Sequence, residues 1–125
     1  MSLRSPLSRA RGLGSAKSGV HHFWVQRLTA IALIPLTLWF VFSVANLAGG
    51  DYDAVRWWVS YPAVAVTLVL FIAVSLYHAA LGVQVVIEDY VGHEGAKLAM
   101  IVLAKFGLAV LGAISIFAVL KVALS

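Results

Sequence analysis

The chain has 125 residues, of which 62% are hydrophobic and 11% charged, with a mean hydropathy of +0.99. This is the composition of membrane spans and leaves too little polar chain for a soluble domain beside them. Nine Lys and Arg against five Asp and Glu give a formal net charge of +4, and Cys is absent, which excludes disulfides, thiolate catalysis and Cys-ligated zinc or iron–sulfur centres within the chain.

Taken in order, residues 1–20 hold Arg4, Arg9, Arg11 and Lys17 among Ser5-Pro6, Gly12, Gly14, Ser15 and Ser18-Gly19. This reads as a basic N-terminal tail, flexible or ordered by a partner. The same Arg- and Ser-rich, acid-poor profile belongs to mitochondrial presequences, although this one is short and runs straight into a membrane segment. No acid precedes Asp51, so the positive charge reads as a tail held beside anionic lipid and not as a nucleic-acid surface.

Residues 21–125 are predicted to form an all-α membrane domain of three transmembrane helices, at about 24–48, 58–88 and 96–124. No charged residue occurs from Leu28 to Gly50, about 23 positions where about 20 suffice to cross the hydrocarbon. Pro35 should kink this helix, and Gly49-Gly50 should end it. Asp51 to Arg56 reads as a short polar connection, followed by an aromatic belt at Trp57, Trp58 and Tyr61, with Pro62 suited to a first helical turn. The second uncharged run, Trp57 to Ile87, contains His78 and ends at Glu88-Asp89. After Gly92-His93-Glu94-Gly95 comes the third helix, where Lys97 and Lys121 mark the two surfaces. Lys105, about 12 Å of helical rise below Lys97, either snorkels to the headgroups or pairs with a cofactor carboxylate or a partner subunit. Gly107, Ala109, Gly112 and Ala113 offer small surfaces for close helix approach. The distribution of basic residues predicts a cytoplasmic N-terminus and second loop, with the first loop and C-terminus outside.

An ionisable group in a membrane span is a functional-site hypothesis by default, which singles out His78. At about 100° per residue, Phe71, Val74, Ser75, Leu81, Gly82 and Val85 lie near His78 on one face. Small residues beside the imidazole leave room for a flat macrocycle such as haem, with a second ligand from another subunit. A histidine hydrogen-bonded across helices as packing glue accounts for the same spacing. Asp89 lies about 20° around the helix from His78 and about 16 Å further along, and Tyr90 about 120° around, so both fall at the cytoplasmic interface. His21, His22, Trp24, Gln26 and Arg27 stand at the same interface on the first helix. Arg27 suits a bidentate pair with a carboxylate such as a haem propionate, or a plain positive-inside anchor.

Gly19-Val20-His21-His22-Phe23 with Arg27-Leu28-Thr29-Ala30, then His78-Ala79, Gly82 and Asp89-Tyr90-Val91, resemble the small cytochrome b membrane-anchor subunits of succinate dehydrogenase, the D chains of complex II, in their alphaproteobacterial and mitochondrial branch. The motifs cover roughly the first three quarters of the chain, and the third helix matches by hydropathy and length. The resemblance implies a companion three-helix cytochrome b anchor, with which the chain would hold an iron–sulfur and a flavoprotein subunit on a bacterial inner membrane, or on the mitochondrial inner membrane. It implies His78 as an axial ligand of haem b iron, Arg27 near the haem propionates, and His21 near the same region. It implies Tyr90 as a hydrogen-bond donor to ubiquinone, with Asp89 in the same polar neighbourhood. In the bacterial members that the motifs resemble, an aspartate is expected where this chain has His22, so the resemblance implies no acid role there. Succinate chemistry would lie in other subunits, and this chain would serve electron transfer to quinone. A fumarate reductase anchor or a haem-free three-helix scaffold are the alternatives.

Overall fold

The computed structural model describes residues 6–7 and 16–125, so most of the basic tail expected over residues 1–20 lies outside the described residues. From Ala16 onward the chain forms helices α1 (Ala16–Leu47), α2 (Tyr52–Ser60), α3 (Pro62–Tyr90) and α4 (Glu94–Ala123), with no strand among the described residues. Three stretches, Gly19–Leu47, α3 and α4, are long and apolar enough to cross a bilayer. The protein is therefore an all-helical, multi-pass membrane protein, as its composition implies.

The helix boundaries differ from the sequence reading in two places. α1 begins at Ala16, and not near residue 24, because nothing stronger than Gly19 interrupts the helical run ahead of the first span. Its 32 residues correspond to about 48 Å, longer than a hydrocarbon core of about 30 Å, an excess that tilt or protrusion from the bilayer core accommodates. The helix runs on through Pro35 and ends at Leu47, where Gly49 takes a left-handed φ of 87° and the Gly50 amide bonds the Leu47 carbonyl at 2.9 Å. Only glycine takes that backbone conformation without steric cost, which is why the chain stops there.

The second difference is that the expected polar connection is itself a helix. Asp51 caps α2, its Oδ1 accepting from the Ala54 amide at 2.9 Å, and Asp53 lies in the first turn, where an acid complements the helix dipole. Trp57 and Trp58 thus belong to α2 and not to the second span. Tyr61 separates α2 from α3 with φ −67° and ψ 125°, since the ring of the following Pro62 pushes it out of helical space. Pro62 then occupies the first turn of α3, where its missing N–H costs nothing.

α3 is the central helix, packed against α4 on one side and α1 on the other, while α2 lies against α3 and α4. Stacked Phe40 and Phe71, with ring centroids 4.9 Å apart, join α1 to α3, and stacked Trp39 and Trp58, at 5.8 Å, join α1 to α2. Arg56 Nη2 donates to Ser125 Oγ at 3.5 Å, which brings the end of α4 beside α2. At the opposite end His93 caps α4, its Nδ1 accepting from the Ala96 amide at 3.1 Å, and Lys97 pairs with Glu94 at 3.3 Å.

Among the described residues only Val59, Ala65, Leu68, Ile87 and Gly112 are buried, while Phe42, Leu103, Phe106 and Phe117 are among many large apolar side chains left exposed. That inversion suits a surface wetted by lipid tails or covered by other helices. Gly112 of α4 packs against α3, where an added Cβ would come within 3.1 Å of Leu76 Cδ1. Gly112→Ala should be nearly neutral, because a flexible side-chain end can yield. Gly112→Ile should cost about 1–3 kcal/mol of packing, read as a lower melting temperature of the purified complex in detergent.

Candidate functional site

Between α1 and α3, at the end that carries the N-terminus of α1, lies a cleft of ≈530 Å³. From α1 it is lined by Gly19, His22, Phe23, Gln26, Arg27 and Ala30, and from α3 by His78, Gly82 and Val85. The helical period explains both sets. Residues 19, 22, 23, 26, 27 and 30 recur at three and four positions along one stripe of α1, as do 78, 82 and 85 along α3.

His78 is half-buried, and its Nδ1 lies 2.8 Å from Thr29 Oγ1 on α1, so the imidazole is tied across the two helices. Arg27 is exposed at the cleft and its guanidinium carbon lies 5.0 Å over the Phe23 ring. That contact fixes the arginine stem and leaves the planar donor fork available to an anion. Two polar atoms at the cleft are buried without a hydrogen-bond partner, His22 Nε2 and Gln26 Oε1. Such atoms cost about 1–3 kcal/mol each when left unpaired, so this pair calls for partners from outside the chain, whether water, a bound group or another polypeptide. Gly82 keeps the floor open, the only side-chain atom near an added Cβ being Gln26 Nε2 at 3.9 Å.

The structure brings together His78, Arg27 and Gly82 and separates other residues from them. His22, and not His21, lines the cleft, and His21 is exposed beside it. Of the residues expected near His78, Val85 lines the cleft, Phe71 stacks on Phe40, and Leu81 lines a second cleft of ≈470 Å³ between α3 and α4. That second cleft also receives Lys105 and Tyr77 above Ala109, Gly112 and Ala113. Asp89 and Tyr90 form the last turn of α3, both exposed and outside either cleft, with Tyr90 85% exposed. Nearby, Gln84 Nε2 donates to Glu88 Oε1 at 2.9 Å. No group of three or more His, Cys, Asp or Glu side chains able to hold a metal ion occurs among the described residues. A metal at His78 would therefore draw further ligands from a macrocycle or another chain.

Sequence reasoning placed Gln26 at the interface without assigning it a contact, and quoted Thr29 only as part of a motif. Their signal was present, as a hydroxyl and an amide at the apolar entry of α1, but nothing in the sequence paired them with His78 or Gly82.

Residues 1–121 match the family model described as succinate dehydrogenase/fumarate reductase transmembrane subunit. The match therefore extends into α4, beyond the region in which the motifs were recognised. The chain is 37% identical over 102 residues to the succinate dehydrogenase hydrophobic membrane anchor subunit of Rickettsia bellii, covering 82% of each chain. It is 34% identical over 109 residues to that of Paracoccus denitrificans, covering 87% of this chain and 84% of the relative. To the succinate dehydrogenase membrane anchor subunit of Reclinomonas americana it is 34% identical over 92 residues, 71% of this chain and 77% of the other. No solved structure gives a significant match. With the family model spanning all three membrane helices and relatives aligned over most of their length, the chain belongs to the succinate dehydrogenase/fumarate reductase transmembrane subunits, among the hydrophobic membrane anchors of succinate dehydrogenase.

Proposed function

We propose that the chain is the small anchor of a succinate:quinone oxidoreductase, carrying half of a haem b site and part of a ubiquinone-reduction site. The observation that carries this reading is the α1–α3 cleft, where an imidazole at membrane depth stands beside two unpartnered buried polar atoms and a glycine floor. These residues fit a haem. His78 would hold the haem iron through its imidazole, together with a ligand from a companion three-helix anchor. Arg27 pairs with a propionate, with the His21-His22 pair as neighbouring donors, His22 from within the cleft and His21 from its exposed flank. A bound haem would supply a one-electron centre beside the quinone.

Tyr90 and Asp89 end α3 on the surface where this chain would meet the iron–sulfur subunit. A phenol there donates a hydrogen bond to the quinone carbonyl and stabilises negative charge as electrons arrive, and the carboxylate helps move protons in from water. The high exposure of Tyr90 supports a pocket completed by other polypeptides. Succinate itself would be oxidised on the flavoprotein. The basic residues ahead of α1 support a cytoplasmic N-terminus, and the Rickettsia and Paracoccus relatives support a bacterial inner membrane. A fumarate reductase anchor is the second reading, because the family description covers both enzymes, but the named relatives favour the succinate dehydrogenase side.

Purification of the complex through a tag on this chain tests the proposal. Co-purifying flavoprotein and iron–sulfur subunits, together with the optical and magnetic signature of a low-spin, bis-imidazole haem, are expected. A complex with its soluble subunits but no haem would reduce the chain to an anchor, and absence of those subunits would remove the redox role altogether.

A further inference from the structure

The hydroxyl of Thr29 stands within hydrogen-bond distance of three atoms. They are the Val25 carbonyl oxygen at 2.8 Å, the Gln26 carbonyl oxygen at 3.0 Å and His78 Nδ1 at 2.8 Å. A threonine hydroxyl has one proton and two lone pairs. Were that proton given to the imidazole, two oxygen–oxygen contacts of 2.8 and 3.0 Å would be left with lone pairs facing each other and no hydrogen between them. The arrangement closes only one way. The hydroxyl donates back to its own helix, chiefly to Val25, as threonines within helices commonly do. Its free lone pair then accepts from a proton on Nδ1.

We propose that Thr29 is the positioning residue of the site, holding His78 as the Nδ1–H tautomer so that Nε2 keeps an unprotonated lone pair for a metal. This rests on the reading of His78 as a haem ligand, and goes beyond it in assigning a role to α1. The hydrogen bond fixes which nitrogen is free and the rotation of the ring about its own axis, and it makes the imidazole a stronger electron donor, as outer partners of metal-bound histidines do. Because the acceptor sits on α1 and the imidazole on α3, the same contact sets the distance between the two walls of the cleft. A stronger donor favours the ferric state, so the potential of the centre is held down.

The test uses the assembled complex with wild-type chain, Thr29→Ser and Thr29→Val. Valine keeps the branched shape and loses the acceptor. It should weaken the preference for ferric over ferrous iron about tenfold, raising the midpoint potential by about 59 mV. The low-spin ferric g-values should move with it. Serine should restore the wild-type potential. A valine complex with full haem, an unmoved potential and unmoved g-values overturns the proposal, as does a serine complex that behaves like valine, which would make the methyl group the active part. A second measurement holds even if valine blocks assembly. In wild-type complex depleted of haem and labelled with ¹⁵N-histidine, the nitrogen resonances lost in His78→Gln should report a protonated Nδ1 and a bare Nε2. The opposite tautomer refutes the inference whatever the haem content. A wild-type complex without a low-spin haem would instead refute ligation by His78 and leave the tautomer measurement to decide the role of Thr29.

Discussion

His78→Ala should lower the haem occupancy of the assembled complex by more than about tenfold while leaving the flavin and iron–sulfur content intact. The magnitude follows from comparison with outer partners of metal ligands, whose loss alone costs about 10–100-fold in metal affinity. Removing the ligand itself must cost at least as much. Structural collapse is not expected to mimic this result, because the side chain of His78 is half-buried and Thr29 is its one side-chain hydrogen-bond partner among the described residues. Alanine also favours the helix more than histidine does. Thr29 would keep its bonds to Val25 and Gln26, and α3 would keep its stacking of Phe71 on Phe40. Haem quantified by pyridine haemochrome against the flavin content of the same preparation provides the measurement. A variant complex with undiminished haem would mean that the iron is ligated from elsewhere and that His78 is a packing contact between α1 and α3.

Tyr90→Phe should slow succinate-driven quinone reduction by about ten- to a hundredfold, while electron transfer from succinate to an artificial dye continues at the wild-type rate. A hydrogen bond to a group developing charge contributes about 1.5–3 kcal/mol, and each 1.36 kcal/mol is a factor of ten in rate. The substitution removes one hydroxyl from a side chain that is 85% exposed at the end of α3 and bonds no side chain among the described residues. Folding should therefore be unaffected. Parallel loss of both activities would assign Tyr90 to assembly, and unchanged quinone reduction would remove it from the site.

The helices were legible because charge is so unevenly distributed. The uncharged runs from Leu28 to Gly50 and from Trp57 to Ile87 are too long for anything but spans. What escaped was α2, since Asp51, Asp53 and Arg56 read as a polar linker. Its capping aspartate and the proline that opens the next helix were both visible, but a helix of nine residues draws its stability from packing, here Val59 and the Trp39–Trp58 stack. The site was half legible for a related reason. Periodicity placed Gly82 and Val85 with His78 on one stripe of α3, because that relation is internal to the helix. It could not say that Thr29 of α1 stands opposite the imidazole, nor that Leu81 turns toward α4, because the rotation of one helix against its neighbours is set by contacts such as Phe40 on Phe71. The choice between His21 and His22 is the same problem at its sharpest. Neighbouring residues differ by about 100°, and only the pose of α1 decides which one enters the cleft.

With five residues buried among those described, the chain has almost no interior of its own to melt. In lipid its helices would persist singly, since each satisfies its backbone internally. A thermal transition followed through this polypeptide thus records the parting of neighbours and not the uncoiling of secondary structure. An orphaned copy would keep its circular dichroism while losing its place, and its lifetime in the cell would track the supply of its companions.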